Sequence, residues 1–222
     1  QDHLRMTLPT VTDLAAARVW AQERQRERRA HPPDPWAALA WIASSHDSRT
    51  AVALYVRCGL HPILIHGVAD DGACTCPRGA DCPAAGKHPV KRGWQTAPLD
   101  ARALDDRLRD DHRLNLGLRM GIQPDGSRLV TIDVDGEDAV ALLAPLVTAH
   151  GALPPTLTAR TGRGGWHFVY RLRDGVEVGN RAGLAPGVDV RGEGGQVVVA
   201  PSLHRSGRRY AWIRCQRPEV LP

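Results

Sequence analysis

A strict alternation of residue types at 114–120 (LNLGLRM) is the feature that most constrains the fold, because a period of two is that of a half-buried β-strand. Two glycine-rich turns further along, GRGG at 162–165 and GEGG at 192–195, each lie between two short apolar runs and predict two β-hairpins. The remaining strands are predicted at residues 129–135, 157–161, 166–172, 188–191, 196–200 and 209–214.

The first half of the chain is mainly helical in pattern. Its elements are predicted as helices at 36–44 and 48–58, a strand at 61–68, a short helix capped by Asp100, and a helix at 137–150 that Pro145 interrupts or ends. Helices early and hairpins late predict an α+β fold, with an N-terminal α/β lobe that leads into a mainly antiparallel sheet. A length of 222 residues suits one or two closely packed lobes.

Residues 11–30 predict a further helix, which carries the charged run QERQRERR. This run is either a solvated face or an arm that binds phosphate. No apolar run approaches the roughly 18 residues that a membrane span needs, and no export signal opens the chain. We therefore expect a soluble, cytoplasmic protein that has no membrane partner.

The charge of the chain favours polyanionic partners without proving them. Lys and Arg number 29 against 24 Asp and Glu, which gives a net charge of +5. Acids crowd into residues 105–111 and 133–138, whereas arginine dominates 24–29 and the chain after 160. This separation of signs suggests that acids and bases have different tasks.

Two aspartates close the strand VTIDVD. The period of two sends Asp133 and Asp135 to one face and Ile132 and Val134 to the other. Carboxylates so close repel one another unless a cation lies between them, and their hard oxygen ligands suit Mg²⁺ or Mn²⁺. The alternative is a strand that ends in an ordinary polar turn.

Two other strand residues carry candidate chemistry. His167 lies between Trp166 and Phe168, which point to the opposite face, and it follows a glycine-rich turn that lets a ligand approach the backbone. Asp189 lies between two valines, where an acid needs a partner or a metal because burying it alone is costly. Each could instead be an ordinary surface or core residue.

A cluster of soft ligands follows the predicted strand at 61–68. Cys74, Cys76, Cys82 and His88 are sufficient for a closed tetrahedral Zn²⁺ site, although the spacing of the first pair is unusual. The loop has few apolar residues that could order it otherwise. Free thiols and a disulfide are the alternatives, and Cys58 and Cys215 are expected to be ordinary thiols.

Six motifs in order resemble the archaeo-eukaryotic primase superfamily, in its bacterial, phage and plasmid prim-pol branch. The resemblance covers residues 51 to 212. The motifs are GKHP at 86–89, NLGLRMG at 115–121, VTIDVDG at 130–136, LPPTLTARTGRGGWHFVY from 153, GVDVRGEGGQVVVAPS from 187 and SGRRYAW at 206–212. The resemblance implies a two-lobed fold with an RNA-recognition-motif-like (RRM-like) antiparallel catalytic sheet.

The same resemblance implies roles for particular residues. Asp133 and Asp135 match the metal-binding D-x-D motif, His167 matches a histidine that contacts nucleotide phosphate, and Asp189 matches the acid that completes the metal site. Many relatives have Ser or Thr where this chain has Gly165, and backbone N–H groups of the turn are expected to replace that contact. Further phosphate contacts are expected from Arg191, Ser202, His204, Arg163 and Lys87.

The expected activity is template-directed synthesis of primers or DNA from NTPs or dNTPs on single-stranded DNA. Two metal ions about 3.5–4 Å apart would stabilise the attacking hydroxyl and the leaving pyrophosphate. A metal-dependent nuclease or phosphodiesterase and a non-catalytic, zinc-stabilised nucleic-acid-binding module are the alternatives. Gly86 and Lys87 do not form a P-loop, because His88 replaces the required Ser or Thr.

We also expect a division of the chain into segments. The sequence predicts an N-terminal helical extension at 1–47, a catalytic domain at 48–217 that contains the cysteine loop at 72–90, and the start of a linker at 218–222. A helicase fused to the chain or associated with it is the expected partner.

Overall fold

The computed structural model of this chain describes residues 34–222, so the helix predicted at 11–30 lies outside the described residues. The helices of the described part are α1 (Pro35–Ser45), α2 (Ser48–Arg57), α3 (Ala101–Asp110) and α4 (Ala139–His150). Its strands are β1 (Pro62–Ile65), β2 (Asn115–Arg119), β3 (Gly121–Ile122), β4 (Arg128–Val134), β5 (Leu157–Arg160), β6 (Trp166–Arg171), β7 (Arg181–Ala185), β8 (Val188–Arg191), β9 (Gln196–Val199) and β10 (Ala211–Arg214). None of these helices is long and apolar enough to cross a membrane.

The strands form two antiparallel sheets. The small sheet has the order β1-β2-β9, and the large sheet has the order β10-β5-β6-β4-β8-β7 with β3 paired to one end of β4. The prediction of an α+β fold is therefore confirmed. The predicted division of the chain into an extension, a catalytic domain and a linker stays a prediction.

Aspartates begin three of the helices, as their short side chains favour. Asp100 accepts a hydrogen bond from the backbone N–H of Ala103 at 2.9 Å, which confirms the predicted cap of α3. Asp138 caps α4 in the same way, but the prediction that Pro145 interrupts or ends this helix is wrong. One missing backbone hydrogen bond is tolerated because the apolar face of α4 packs against the large sheet.

The two predicted hairpins have different outcomes. Strands β5 and β6 pair across the GRGG turn as predicted. The second hairpin is wrong, because β8 pairs with β4 while β9 pairs with β2 in the small sheet. The glycines of GEGG allow close packing at this crossing, since a Cβ on Gly192 would lie 1.9 Å from the carbonyl oxygen of Val178. Strand β7, at the edge of the large sheet, was not predicted.

Strand β2 is buried on both faces, so the half-buried strand predicted from its alternation is wrong. Leu116 and Leu118 face the main core together with α1 and α2. On the other face, Ile63, Ile65, Val198 and Tyr210 form a second cluster, against which Trp94 packs. A strand between two layers needs apolar neighbours on both sides, and these come from distant parts of the chain.

A buried tyrosine connects the helices to both sheets. Tyr55 on α2 donates a hydrogen bond to the carbonyl oxygen of Ala200, at the end of β9, at 2.5 Å. Its hydroxyl also accepts a hydrogen bond from the indole N–H of Trp212 on β10 at 2.9 Å. One hydroxyl therefore satisfies two buried polar groups that belong to different sheets.

Replacing Tyr55 by Phe should lower the free energy of unfolding by about 1–3 kcal/mol, because the Ala200 carbonyl and the Trp212 indole N–H would both lose their partner. Urea denaturation followed by circular dichroism measures the change. Val140→Ala is the control, since Val140 is 82% exposed on α4 and should change stability little. Equal stability of Tyr55→Phe and the original chain would contradict this account.

Candidate active site and metal centre

Three polar side chains form a row across the large sheet. Asp133 on the central strand β4 lies directly opposite His167 on β6 and opposite Asp189 on β8. Residues opposite one another in an antiparallel pair project from the same face, so all three side chains share the face that is turned away from α4. The Nε2 atom of His167 lies 3.4 Å from a carboxylate oxygen of Asp133.

Arg191 connects the two acids of this row. Its Nε atom lies 3.5 Å from Asp133, and its Nη2 atom donates a hydrogen bond to Asp189 at 2.6 Å. The other carboxylate oxygen of Asp189 accepts a hydrogen bond from the backbone N–H of Gly183 at 2.7 Å. The guanidinium group thus neutralises part of the negative charge that the acids bring together.

The carboxyl group of Asp133 is largely buried, with 16% of its side chain exposed. Burial by itself raises the pKa of Asp133, but the hydrogen bond from His167 and the positive charges of His167 and Arg191 lower it more, and the net direction is down. Asp133 therefore stays a carboxylate, which is the form that binds a cation.

A cavity of about 270 Å³ lies over Asp133 and His167 of this row, whereas Asp189 is outside its lining. Asp133 and Asp135 both line it, in agreement with the shared face that the period of two predicts. The basic residues that line it are Lys87, Arg163, His167 and Arg191. A larger, apolar cavity of about 700 Å³ on the other face of the large sheet has no acid in its lining, so the smaller one is the candidate active site.

Sequence reasoning missed Tyr210, which lines the same cavity. Its ring centre lies 6.0 Å from that of His167. Burial raises the pKa of Tyr210, and the negative charges of Asp133 and Asp135 raise it further. The hydroxyl therefore stays protonated beside the acids and can donate a hydrogen bond. No local pattern brings this tyrosine to the acids. It directly precedes β10, and the pairing of β10 with β5 places it beside the large sheet.

Gly165 occupies a position where a side chain does not fit. A Cβ there would lie 2.3 Å from the carbonyl oxygen of Val134. The N–H of Gly165 donates to the hydroxyl of Thr161 at 2.9 Å, and the N–H of Gly164 donates to the carbonyl of the same residue. These two N–H groups are already used within the turn, and the expectation that N–H groups of the turn replace a missing phosphate contact stays a prediction. Besides Tyr210, the lining of the cavity contains the hydroxyl of Thr161.

Two of the predicted phosphate contacts lie outside the lining of this cavity. Ser202 is 2% exposed, and its hydroxyl accepts from the N–H of Leu116 and donates to the carbonyl of the same residue, at 2.8 and 3.0 Å. His204 is also buried, and its Nδ1 atom lies 2.9 Å from the hydroxyl of Ser206. Burial and the nearby cations lower the pKa of His204, with Lys87 and Arg163 foremost among these cations.

The four predicted soft ligands come together in one group. The ligand atoms of Cys74, Cys76, Cys82 and His88 all lie within 4.8 Å of one another. Nε2 of His88 lies 3.3 Å from the sulfur of Cys74 and 3.4 Å from that of Cys82, close to the roughly 3.5 Å between sulfur and nitrogen ligands around tetrahedral zinc. This group could therefore hold a metal ion such as zinc. Cys58 and Cys215 are outside it.

Comparison with known protein families agrees with the mixed α+β fold. The family model described as "Bifunctional DNA primase/polymerase, N-terminal" matches residues 51–222, and the chain belongs to this family. The resemblance noted from the six motifs is thus confirmed. At the family level this indicates a primase/polymerase role, with nucleotidyl transfer on DNA. No curated protein matches the chain.

Ser202→Ala should lower the free energy of unfolding by about 1–3 kcal/mol and leave the affinity for nucleoside triphosphates unchanged. The reason is that its hydroxyl satisfies the buried N–H of Leu116 and lies outside the lining of the cavity. Urea denaturation and calorimetric titration with dGTP measure the two effects. A loss of affinity without a loss of stability would instead assign Ser202 to the phosphates.

Cys82→Ser should abolish binding of one zinc ion per chain and lower the melting temperature by several degrees, because the loop loses one of four ligands. Zinc content is measured by a colorimetric chelator after exhaustive dialysis. Cys215→Ser is the matched control, since Cys215 is a free thiol outside the group. Equal zinc content in Cys82→Ser and the control would contradict the proposed ligand set.

Proposed function

We propose that this chain is a primase-polymerase that joins nucleotides on a single-stranded DNA template, with Asp133, Asp135 and Asp189 as ligands of two Mg²⁺ or Mn²⁺ ions. The observation that carries the proposal is the cavity that Asp133 and Asp135 line together with four basic residues, with Asp189 opposite Asp133 on the neighbouring strand. A site for nucleoside triphosphates needs both, because acids hold metal ions and bases hold phosphates.

The donor set fits hard divalent cations. Carboxylate oxygens are the ligands that Mg²⁺ and Mn²⁺ prefer, and the lowered pKa of Asp133 keeps its oxygens available. In this structure the positive charge of Arg191 occupies the place beside Asp133 and Asp189 that a metal ion would take. Arg191 must therefore release Asp189 when that acid binds metal. The bound ions would lower the charge on the attacking and leaving oxygens.

The protein groups themselves bind and orient the nucleotide. His167 is held by Asp133, and a phosphate oxygen bound beside that acid is within reach of the same imidazole nitrogen. Its Nδ1 atom is buried and has no hydrogen-bond partner in the described part of the chain. Arg163 and Lys87 supply charge on the triphosphate side, and the Tyr210 hydroxyl supplies a donor beside the acids.

The proposal extends to the architecture and the biological setting. The large sheet would be the RRM-like catalytic sheet of one lobe, with its acids on the central strand β4, and the small sheet would belong to the other lobe. The Cys and His group would hold a structural Zn²⁺ ion. The setting would be the replication of a plasmid, phage or mobile element, together with a helicase on the same chain or a separate one.

Asp133→Ala and Asp135→Ala should each lower synthesis by about 1,000-fold or more, because each removes a ligand that holds charge-neutralising metal. Binding of single-stranded DNA should be unchanged or tighter, since one negative charge is lost. The measurement is synthesis on an unprimed single-stranded circle, with NTPs and dNTPs supplied separately and together. Asp174→Asn, in an exposed turn, is the control.

The same variants separate the two alternatives. A labelled single strand incubated with Mn²⁺ and no nucleotides is shortened only by a nuclease. A binding module would bind DNA without synthesis and would not need the three acids. Synthesis by Asp133→Ala at the level of the original chain would reject the proposed function.

A further inference from the structure

We propose that the metal centre formed by Cys74, Cys76, Cys82 and His88 positions Lys87 over the active-site cavity, so that metal occupancy sets the affinity for nucleoside triphosphates. This inference rests on the proposed function, because it assigns Lys87 to the phosphates of the incoming nucleotide. It makes Lys87 a binding residue and the metal centre a positioning device.

The metal centre and the active site share a tight turn. Lys87 directly precedes the ligand His88, and its side chain is exposed and lines the cavity that Asp133 and Asp135 also line. Its backbone N–H donates to the carbonyl of Ala84 at 3.0 Å. The position of the lysine is therefore tied by one peptide bond to the position of a metal ligand.

Hydrogen bonds attach this turn to the small sheet on two sides. The side-chain amide of Gln196, on β9, donates to the carbonyl oxygen of Lys87 at 2.9 Å. The amide of Asn115, on β2, donates to the carbonyl oxygen of Gly86 at 3.1 Å. A Cβ on Gly86 would lie 2.6 Å from the side chain of Val68, so the backbone here is packed closely.

After the turn, the chain continues alongside β1. The N–H of His66 donates to the carbonyl of His88 at 2.9 Å, and the N–H of Val90 donates to the carbonyl of Leu64 at 3.0 Å. The rings of His66 and His88 lie 4.6 Å apart. His88 is therefore held by the sheet on its backbone side and by the three cysteines on its imidazole side.

The loop before the turn has few apolar contacts, although Thr75 within it is hydrogen-bonded to Gly67. Its buried cluster consists of Cys74, Cys76, Cys82 and Ala85 alone. Three thiols and one methyl group bury too little apolar surface to order a loop of this length. Loss of the metal would free the imidazole side of His88 and the loop before the turn, so that only the hydrogen bonds to the sheet would still hold the backbone of Lys87.

The charges around Lys87 match a triphosphate. Lys87 and Arg163 both line the cavity, and both are close enough to His204 to lower its pKa. Arg208 also acts on His204, and its guanidinium group donates to the carbonyl oxygen of Arg163 at 3.2 Å. Lys87 and Arg163 bring positive charge to the cavity and Asp133 and Asp135 bring carboxylates, so a triphosphate with its metal ions would find partners of both signs there.

The test is a binding cycle on the full chain, with and without zinc and with and without Lys87. Zinc is removed with a chelator selective for zinc over magnesium, and Mg²⁺ is kept in excess. Binding of dGTP without template is measured by calorimetry. Lys87→Ala and zinc removal should each weaken binding by about tenfold, the loss of one charge-assisted hydrogen bond. Both together should weaken it no further.

Controls separate positioning from a general loss of structure. Lys87→Arg should keep most of the affinity, because it keeps the charge. Cys215→Ser should keep zinc and affinity. Circular dichroism and the affinity for single-stranded DNA should stay unchanged after zinc removal. Losses that multiply to about 100-fold in the zinc-free Lys87→Ala chain, or unchanged affinity in either single case, would overturn the proposal.

A second variant applies if the chain unfolds without zinc. His88→Cys creates a set of four cysteines, which is itself a usual zinc site, but the shorter ligand moves the backbone beside Lys87. Retained zinc with weaker dGTP binding supports the proposal, and retained zinc with unchanged binding overturns it. If His88→Cys stays folded but loses zinc, adding Lys87→Ala to it must weaken dGTP binding no further.

The outcome also distinguishes this inference from the proposed function. A zinc-loaded original chain that binds no dGTP in the presence of Mg²⁺ would contradict the proposed function itself. Binding that depends on Asp133 but on neither zinc nor Lys87 would leave the proposed function in place and reject the positioning role.

Discussion

The stabilisation of one buried carboxylate, that of Asp133, is the interaction on which the rest of the site depends. An ionised acid on the central strand of a sheet would cost several kcal/mol without partners. Strands β6 and β8 supply these partners, since they bring His167 and Arg191 to Asp133 and place Asp189 opposite it. A slip by one residue in either pairing would put an apolar side chain there instead, such as Phe168. The strand register and the chemistry of the site are therefore a single constraint.

The second constraint is the passage of the chain from one sheet to the other. Between β8 and β9 the close packing of Gly192 and Gly195 lets the chain leave the large sheet and enter the small one. The small sheet thereby forms the wall opposite the acids, and Gln196 on this wall holds the backbone of Lys87. Acids thus come from the large sheet, whereas part of the basic lining comes from a loop anchored to the small sheet. A triphosphate with bound metal ions needs both kinds of group, because basic side chains bind its phosphates and acids bind the metal ions.

Most of what could be predicted from the sequence is local. The period of two sends Asp133 and Asp135 to one face, a short acidic side chain caps α3, and a four-residue glycine-rich turn joins β5 to β6. The partners of β9 could not be predicted in this way, because a pair of strands with a turn between them indicates a hairpin whether or not the strands meet. The burial of β2 on both faces was not predicted for a related reason, since the residues that cover its second face come from distant parts of the chain. Pro145 was misjudged because packing of α4 outweighs one lost hydrogen bond.

By itself, the sequence determined the α+β fold class, the common face of the two acids of the D-x-D motif and the set of four side chains from Cys74 to His88 that could hold a metal ion. The fold class follows from the order of elements along the chain, and the other two follow from spacing within a short segment, where backbone geometry leaves few choices. Only the tertiary structure decided that His167 and Asp189 flank Asp133, that the Ser202 hydroxyl serves the backbone of β2, and that Lys87 and Tyr210 join the acids in one cavity. Such contacts join segments that are distant in sequence, and the register and packing that create them are properties of the whole fold.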